Sequence, residues 1–465
     1  MQEKKYLKWY HKVGYGSGDI AGNCVYALLT AFMMIYLTDT IGLKMGIVST
    51  LIAASKIFDG ISDFFFGRMI DKTHSKMGKA RPWMLWPYIG CAITLVACFS
   101  IPTAWGQTAQ YIFFFLSYTL LNAVFFTANN IAYASLTALI TKNTSERVQI
   151  GSFRFIFAFA TKIVIEAVTI FAVGWLGGGV MGWRLIAIIY AVIGLITNTL
   201  SVFSVKELPE ADEEMDAERE EEQKLTFLQS FKVLLKNKFY VIICCSYVLT
   251  QLYASVIGMG TYYAKYILGN EELFSDISLA INITMVVALT VLPIVIKKLG
   301  GMYKLNIAGY VLAAVGRLGV MAAGYIGSIP LMLAFTAVAT LGIAPLQGDM
   351  NALIASCSEY TTLKTGHRLD GMMYSCSSLG IKVGGALGTA ICGWLLDAAG
   401  YVENAAVQTD ATVNMLHFLY LWAPAILCVA VAVLLTFLKV EKANKDLLAV
   451  KHMTEDDLDV VYGNV

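Results

Sequence analysis

Residues 55–82 read SKIFDGISDFFFGRMIDKTHSKMGKARP. The first part is apolar enough to lie in lipid, yet it carries Lys56, Asp59 and Asp63. The second part turns into a basic loop punctuated by Gly67 and Gly78 and closed by Pro82. A charged side chain at the middle of a lone membrane helix costs about 2.5–3.5 kcal/mol on insertion scales. Three such groups within one helix therefore imply partners on other helices, or a water-filled cavity, rather than a surface facing lipid.

The rest of the chain sustains the membrane reading. Hydrophobic residues make up 57% of 465, charged residues 14%, and mean hydropathy is +0.65. Soluble domains carry about 25% charged residues. Spans of about 20 apolar residues fall near 14–39, 44–70, 82–103, 109–140, 147–174, 181–204, 237–266, 273–296, 303–324, 328–347, 369–398 and 414–438. These runs are too long, and lack the alternation, for a β-barrel. The basic start leads into a full-length span with no small-residue cleavage site, so an uncleaved first helix is expected. A net charge of +1 points to no nucleic-acid partner. The nine cysteines have no metal-ligand spacing; all but Cys357 fall inside spans, so buried thiols are expected rather than disulfides. No nucleophile–base pair or phosphate loop appears, and neither an enzyme nor a cofactor is expected.

Lysine and arginine gather on one side of this twelve-span pattern: Lys4, Lys5, Lys8 and Lys12 at the start, Arg68 to Arg81 after span two, Lys297, Lys298 and Lys304 after span eight, and Lys439, Lys442 and Lys445 at the end. The positive-inside rule places both termini in the cytoplasm of a cell-membrane protein. The segment KELPEADEEMDAEREEEQK, residues 206–224, splits the chain six plus six. The loop GRMIDKTHSKMGKARP after span two has a degenerate echo in IKKLGGMYK after span eight. The expected organisation is a six-helix bundle over 1–205, an acidic linker over 206–236, a second bundle over 237–440 and a tail over 441–465. Such duplication is the pattern of all-α major facilitators, whose two bundles rock around a midplane site.

The polar residues inside the spans are the candidate site. Asp59 and Asp63 are four apart on one helix face and could share a small cation, Na⁺ or H⁺, although a structural ion pair is the alternative. Asp19, Asn23 and Tyr26 form one stripe in span one, suited either to a polyhydroxyl ligand or to helix packing beside Gly18 and Gly22. Span four adds Thr127 and Asn130, and span five adds Arg154, for which Asp19 is the candidate partner. In span eleven, Lys382 needs an acid, and Asp59 or Asp63 would serve. Lys162 and Glu166 read as a self-neutralising pair. Gly67, Asp71 and Arg81 read as gate and packing residues.

At these residues the chain resembles the glycoside–pentoside–hexuronide:cation symporters, the melibiose-carrier branch of the major facilitators. The resemblance runs from YGSGD (15–19) through FDGISDFFFGRMIDKTHSKMGKARPW (58–83) to EYTTLKTGHRLDGMMYS (359–375) and GIKVGG (380–385). It implies that Asp59, Asp63 and Thr127 hold the coupling cation, that Asp19 and Arg154 hold the sugar, and that Lys382 bridges the two sites. The chain departs from the pattern at Phe64, where proline is usual, and at Asn130, where melibiose carriers have a sugar-binding aspartate. Phe126 and Ala134 stand where those carriers have a tyrosine and a tryptophan. A smaller, less anionic set of contacts is compatible with a glycoside, pentoside, hexuronide or short oligosaccharide. The alternative is a sodium-dependent carrier of a lipid or other amphiphile. The implied partners are a small-molecule sugar and membrane lipid, and a monomer is expected to suffice.

Overall fold

A computed structural model describes residues 5–73, 75–141, 144–208, 227–299, 302–365 and 370–451. Most of the acidic linker and the tail beyond 451 lie outside the described residues.

The regular elements of the described chain are all helices. In order, the helices are α1 (Trp9–Gly16), α2 (Gly18–Ile35), α3 (Met45–Asp71), α4 (Arg81–Cys98), α5 (Gln107–Thr119), α6 (Thr127–Leu139), α7 (Thr144–Trp175) and α8 (Gly179–Ser204). They continue as α9 (Phe227–Lys236), α10 (Lys238–Gly258), α11 (Gly260–Tyr266), α12 (Leu273–Leu299), α13 (Met302–Ile326), α14 (Ile329–Thr365), α15 (Asp370–Ala398), α16 (Asp410–His417), α17 (Ala423–Thr436) and α18 (Val440–Lys451). Single π-helical segments, Tyr36–Thr40, Leu120–Phe126 and Phe418–Trp422, continue α2, join α5 to α6 and join α16 to α17.

Eleven described stretches are long and apolar enough to cross a membrane, which makes this a multi-pass membrane protein. The third expected span, α4, falls short of that measure. Its first two turns hold Arg81, Pro82, Trp83, Trp86, Pro87 and Tyr88, which dilute the apolar run. It still fills the third position, packed on α6 and α8. The tenth span is longer than its apolar core predicts. α14 continues through polar residues to Thr365, so Cys357 is buried within a helix and not near a loop. The eight described cysteines are unbonded.

Packing repeats in two sets. In the first, α2 lies on α7 and α8, α4 on α6 and α8, and α3 on α5 and α6. In the second, α10 lies on α15 and α17, α13 on α14 and α17, and α12 on α14. Contacts across the sets run chiefly through α3 with α15 and α7 with α12, the second and fifth spans of each set. Glycine permits the first of these approaches: a Cβ on Gly393 would collide with the Ser49 side chain.

The repeat extends to a capping device. Glu207, just after the sixth span, accepts the N–H groups of Lys79, Ala80 and Arg81 at 2.6, 3.0 and 2.9 Å, at the start of α4. Glu441, just after the last span, accepts those of Met302 and Tyr303 at 3.1 and 3.2 Å, at the start of α13. A carboxylate at a helix N-terminus satisfies orphan donors and the positive end of the helix dipole together. Both caps lie on the membrane face that carries the basic loops, here the basic face.

The buried apolar core divides unequally. Toward the opposite face one cluster runs through both sets of helices, with Phe32 edge-on to Phe274 at 5.8 Å and Tyr36, Phe99 and Trp183 behind them. Toward the basic face there are two clusters, one around Tyr15, Met84 and Leu136, the other around Tyr240, Met350 and Leu438. Among the described residues, the cluster whose buried members come from both halves is the one on this opposite face.

Candidate substrate and cation site

The charged stretch of α3 supplies one side of a polar cluster, and α15 supplies the other. Lys382 places its ammonium 3.0 Å from Asp59 Oδ1 and 2.6 Å from Asp63 Oδ2, and it donates to the Asp59 carbonyl at 3.2 Å. All three side chains keep about a fifth to a quarter of their surface exposed, so water reaches the cluster. The Thr127 hydroxyl lies against Asp59 Oδ1 and against the Asn122 carbonyl, 2.7 Å away. Asn122 belongs to the π-helical segment that ends at Phe126. A π-bulge adds a residue to the turn and re-aims the side chains beyond it, and here Thr127 is the first residue after the bulge. Lys56 is engaged across the same interface, donating to the Gly385 carbonyl at 3.2 Å and to Thr389 Oγ1 at 3.0 Å.

A second cluster forms between α1, α2, α6 and α7. Asp19 Oδ2 accepts from Arg154 Nε and from the Tyr133 hydroxyl, each at 2.8 Å. The guanidinium stacks over the Tyr133 ring, 4.1 Å from its centroid. Tyr15 and Tyr133 also meet directly: the Tyr133 hydroxyl shares its one proton between Asp19 and the Tyr15 carbonyl, 3.0 Å away, and the Tyr15 hydroxyl donates to the Tyr133 carbonyl. Tyr15 also bonds Thr137 Oγ1 at 2.8 Å. Gly18 makes room for this, since a Cβ there would collide with the Tyr133 ring and Ser201.

The other expected residues fall in and around these clusters. Asn23 bonds back to the Asp19 carbonyl at 2.9 Å, so its amide donor is engaged within α2. Tyr26, seven residues after Asp19 on α2, is 54% exposed and near enough to Asp59 to interact electrostatically. Thr127, Asn130 and Ala134 share one face of α6 by their spacing; Thr127 is held at Asp59, whereas Asn130 and Ala134 are exposed and Phe126 is half-buried. Arg81 ties α4 to α8 through the Val202 carbonyl at 2.9 Å, the packing part of its expected role. A Cβ at Gly67 would meet nothing, so no close approach requires glycine there. The side chains of Phe64 and Asp71 lie outside the described residues.

Sequence reasoning missed Tyr15, Tyr133 and Thr137, which read as ordinary apolar-span residues. Their signal was positional: Tyr133 is beside Ala134, on a helix already carrying candidates. It also missed the closure on the opposite face. There Asp39 accepts from Lys265 at 2.5 Å, Tyr401 at 2.6 Å, Tyr266 at 2.7 Å and its neighbour Thr38 at 2.8 Å. Thr38 also bonds the Tyr262 hydroxyl at 2.9 Å. The pair Lys162–Glu166 is present at 3.8 Å but is not self-contained, because Glu166 also accepts from Asn282 of α12 at 2.6 Å.

The chain is similar to known transport proteins along nearly its whole length. The family model described as MFS/sugar transport protein matches residues 14–442. The isoprimeverose transporter of Lactiplantibacillus pentosus is 28% identical over 463 residues, covering 98% of this chain and 94% of the relative. The putative glycoside/cation symporter YagG of Escherichia coli (strain K12) is 26% identical over 455 residues, covering 95% of each. Among solved structures, the D-xylose-proton symporter superposes with a TM-score of 0.63 over 92% of this chain and 95% of its own; at 15% identity this supports the fold alone. With two repeated helix sets meeting at a charged midplane cluster, the chain belongs to the MFS/sugar transport protein family and has the major facilitator fold.

Proposed function

We propose that this chain is a cation-coupled sugar symporter of the cell membrane, working by alternating access. The observation that carries the reading is Lys382: an ammonium from the second helix set sits between two carboxylates of the first, which also holds the Asp19–Arg154 pair. Asp59, Asp63 and Thr127 hold the coupling ion, Na⁺ or H⁺. Asp19, Arg154 and Asn130 bind sugar hydroxyls, with Tyr26, Phe126 and Ala134 lining the space. Charged carboxylate and guanidinium partners make strong, directional bonds to hydroxyls. Arg154 is already neutralised by Asp19, which favours neutral glycosides over uronides within the expected class. The names of the relatives, an isoprimeverose transporter and a glycoside/cation symporter, support the same class.

The positive-inside rule assigns the basic face, and with it both termini, to the cytoplasm. On that assignment the Asp39 cluster closes the chain toward the outside, and the apolar core that both helix sets share lies on that outer side. The 1–205 and 237–440 bundles are the two rocking units. Binding of each ligand raises the affinity for the other, as linkage requires. The test is uptake into proteoliposomes of neutral glycosides, pentosides and uronides under Na⁺ and proton gradients imposed separately. One gradient is expected to drive accumulation, and Asp63→Asn to remove that stimulation. Undiminished gradient-driven uptake by Asp63→Asn would sink the ion assignment.

A further inference from the structure

The second helix set holds a buried carboxyl that the proposed transport site does not use. Asp349 of α14 is 3% exposed. Its Oδ2 accepts from Asn306 Nδ2 of α13 at 2.7 Å, and its Oδ1 has no hydrogen-bond partner among the described residues. The Asn306 carbonyl oxygen, on a residue 2% exposed, has none there either. No cation of the described residues lies within ion-pair distance of Asp349. Among the described residues, the titratable groups facing it are Tyr310 of α13 and Glu441 at the start of α18, neither of them cationic. On the α12 side, Leu289 and Leu292 close against Gly348. Five other described carboxylates within the spans differ in this respect: Asp19 has Arg154, Asp39 has Lys265, Asp59 and Asp63 have Lys382, and Glu166 has Lys162.

Packing alone does not call for an acid at this place. In the first helix set the contact between the third, fourth and sixth spans is made by neutral amides. Asn129 and Asn198 both donate to the Met84 carbonyl, at 2.6 and 2.9 Å, and Asn129 also donates to Asn198 Oδ1 at 3.1 Å. In the second set, the fourth span presents Asp349 to the third. An ionised carboxylate in that apolar core would forgo its hydration for a single amide bond, which is not sustainable. Taking up one proton removes the charge and supplies a donor; two acceptor oxygens without donors lie at this contact.

We propose that Asp349 is a proton-binding site separate from the Asp59/Asp63 cluster, loaded at neutral pH in this state of the carrier. Its proton holds α13 against α14, and its loss places a bare negative charge between them. The site does not depend on which ion drives transport.

Infrared difference spectra of the full-length protein test this directly. Parent minus Asp349→Asn at pH 7 is expected to show the carbonyl stretch of a protonated carboxyl, shifting in D₂O. Asn306→Ala, which removes the one described bond to the group, is expected to move that band and not abolish it, and it keeps the test open if Asp349→Asn does not assemble. A spectrum with carboxylate bands alone, or carboxylate bands that respond to Na⁺, would overturn the proposal. Thermal unfolding gives a second reading. Relative to Asp349→Asn, the parent is expected to lose about tenfold in its folding equilibrium per pH unit above the ordinary carboxylate range, until Asp349 itself ionises. A difference independent of pH from 5 to 7 would mean the carboxyl is already ionised in the fold, and would refute the idea.

Discussion

Replacing Lys382 by methionine keeps most of the unbranched side chain and removes the ammonium that touches both Asp59 and Asp63. At 3.0 and 2.6 Å each contact is worth about 5–6 kcal/mol of Coulomb attraction at an effective dielectric of about 20. Desolvation of the three groups cancels much of that, and removing one partner of a buried pair typically costs about 3–5 kcal/mol. With a fifth or more of these side chains in contact with water, roughly half of that figure is a reasonable expectation here. Two carboxylates four residues apart on one helix face are then left without their shared cation, and they repel.

That deficit is available to any mobile cation. In the sugar-free protein, Lys382→Met is therefore expected to bind the coupling ion more tightly than the parent does, by about 10–100-fold for a gain of about 1.5–2.5 kcal/mol. The assay is titration of purified carrier with Na⁺, and separately with protons, monitored by tryptophan fluorescence or calorimetry. Transport is expected to fail in the same variant, since a carrier that cannot fill the site in its empty state cannot return without the ion. Unchanged or weaker affinity for both ions would refute the argument, because it would mean that Lys382 supports the ion site and does not compete for it.

Other parts of the structure carry three more expected outcomes. Arg154→Gln leaves Asp19 with the Tyr133 bond alone and is expected to weaken sugar binding by about 10–100-fold, the loss of a charged hydrogen-bond partner worth about 1.5–3 kcal/mol, while ion binding measured without sugar stays close to the parent. Asp39→Asn turns an acceptor of four donors into a group that must present an amide to some of them; an impermeant thiol reagent is expected to label Thr38→Cys at least tenfold faster in the Asp39→Asn background, and equal rates would show that the cluster does not hold the closure. Burial opposes the charge on Glu146, just outside the fifth span, but bonds from Thr141, Tyr6, Leu7 and Lys12 outweigh it and hold the carboxyl below its ordinary value of 4.5. A depressed carboxyl stabilises the fold above that value, and the stabilisation is lost as pH falls below it. Glu146→Gln is thus expected to melt earlier than the parent at pH 7 and together with it at strongly acid pH.

What the sequence made legible, and what it did not, divides along a physical line. Membrane spans are legible because lipid demands the same thing of every residue in a window, so Leu, Ile, Val and Phe accumulate whatever their neighbours are. The exception, α4, is the span whose first turns face the Glu207 cap and α8 and not lipid alone. Charges such as Asp59, Asp63, Arg154 and Lys382 stood out for the same reason in reverse: an apolar solvent makes each one costly, and the cost itself signals a partner. Tyr133 and Tyr15 carry no such cost, since their rings are content in a membrane core and only their hydroxyls report what they do. Which acid each cation meets is a matter of interhelical distance. Arg154 and Asp19 lie 135 positions apart, and Lys382 and Asp59 323. Pairing by charge balance anticipated both contacts. It did not anticipate Asp39 with Lys265, because near a membrane face an ionised group can be hydrated, and being charged there implies no partner. The same reasoning separates Asp349 from the rest. Buried to 3% exposure and with no cation beside it among the described residues, its carboxyl is a group whose charge must be removed, and a proton is the smallest means of removing it.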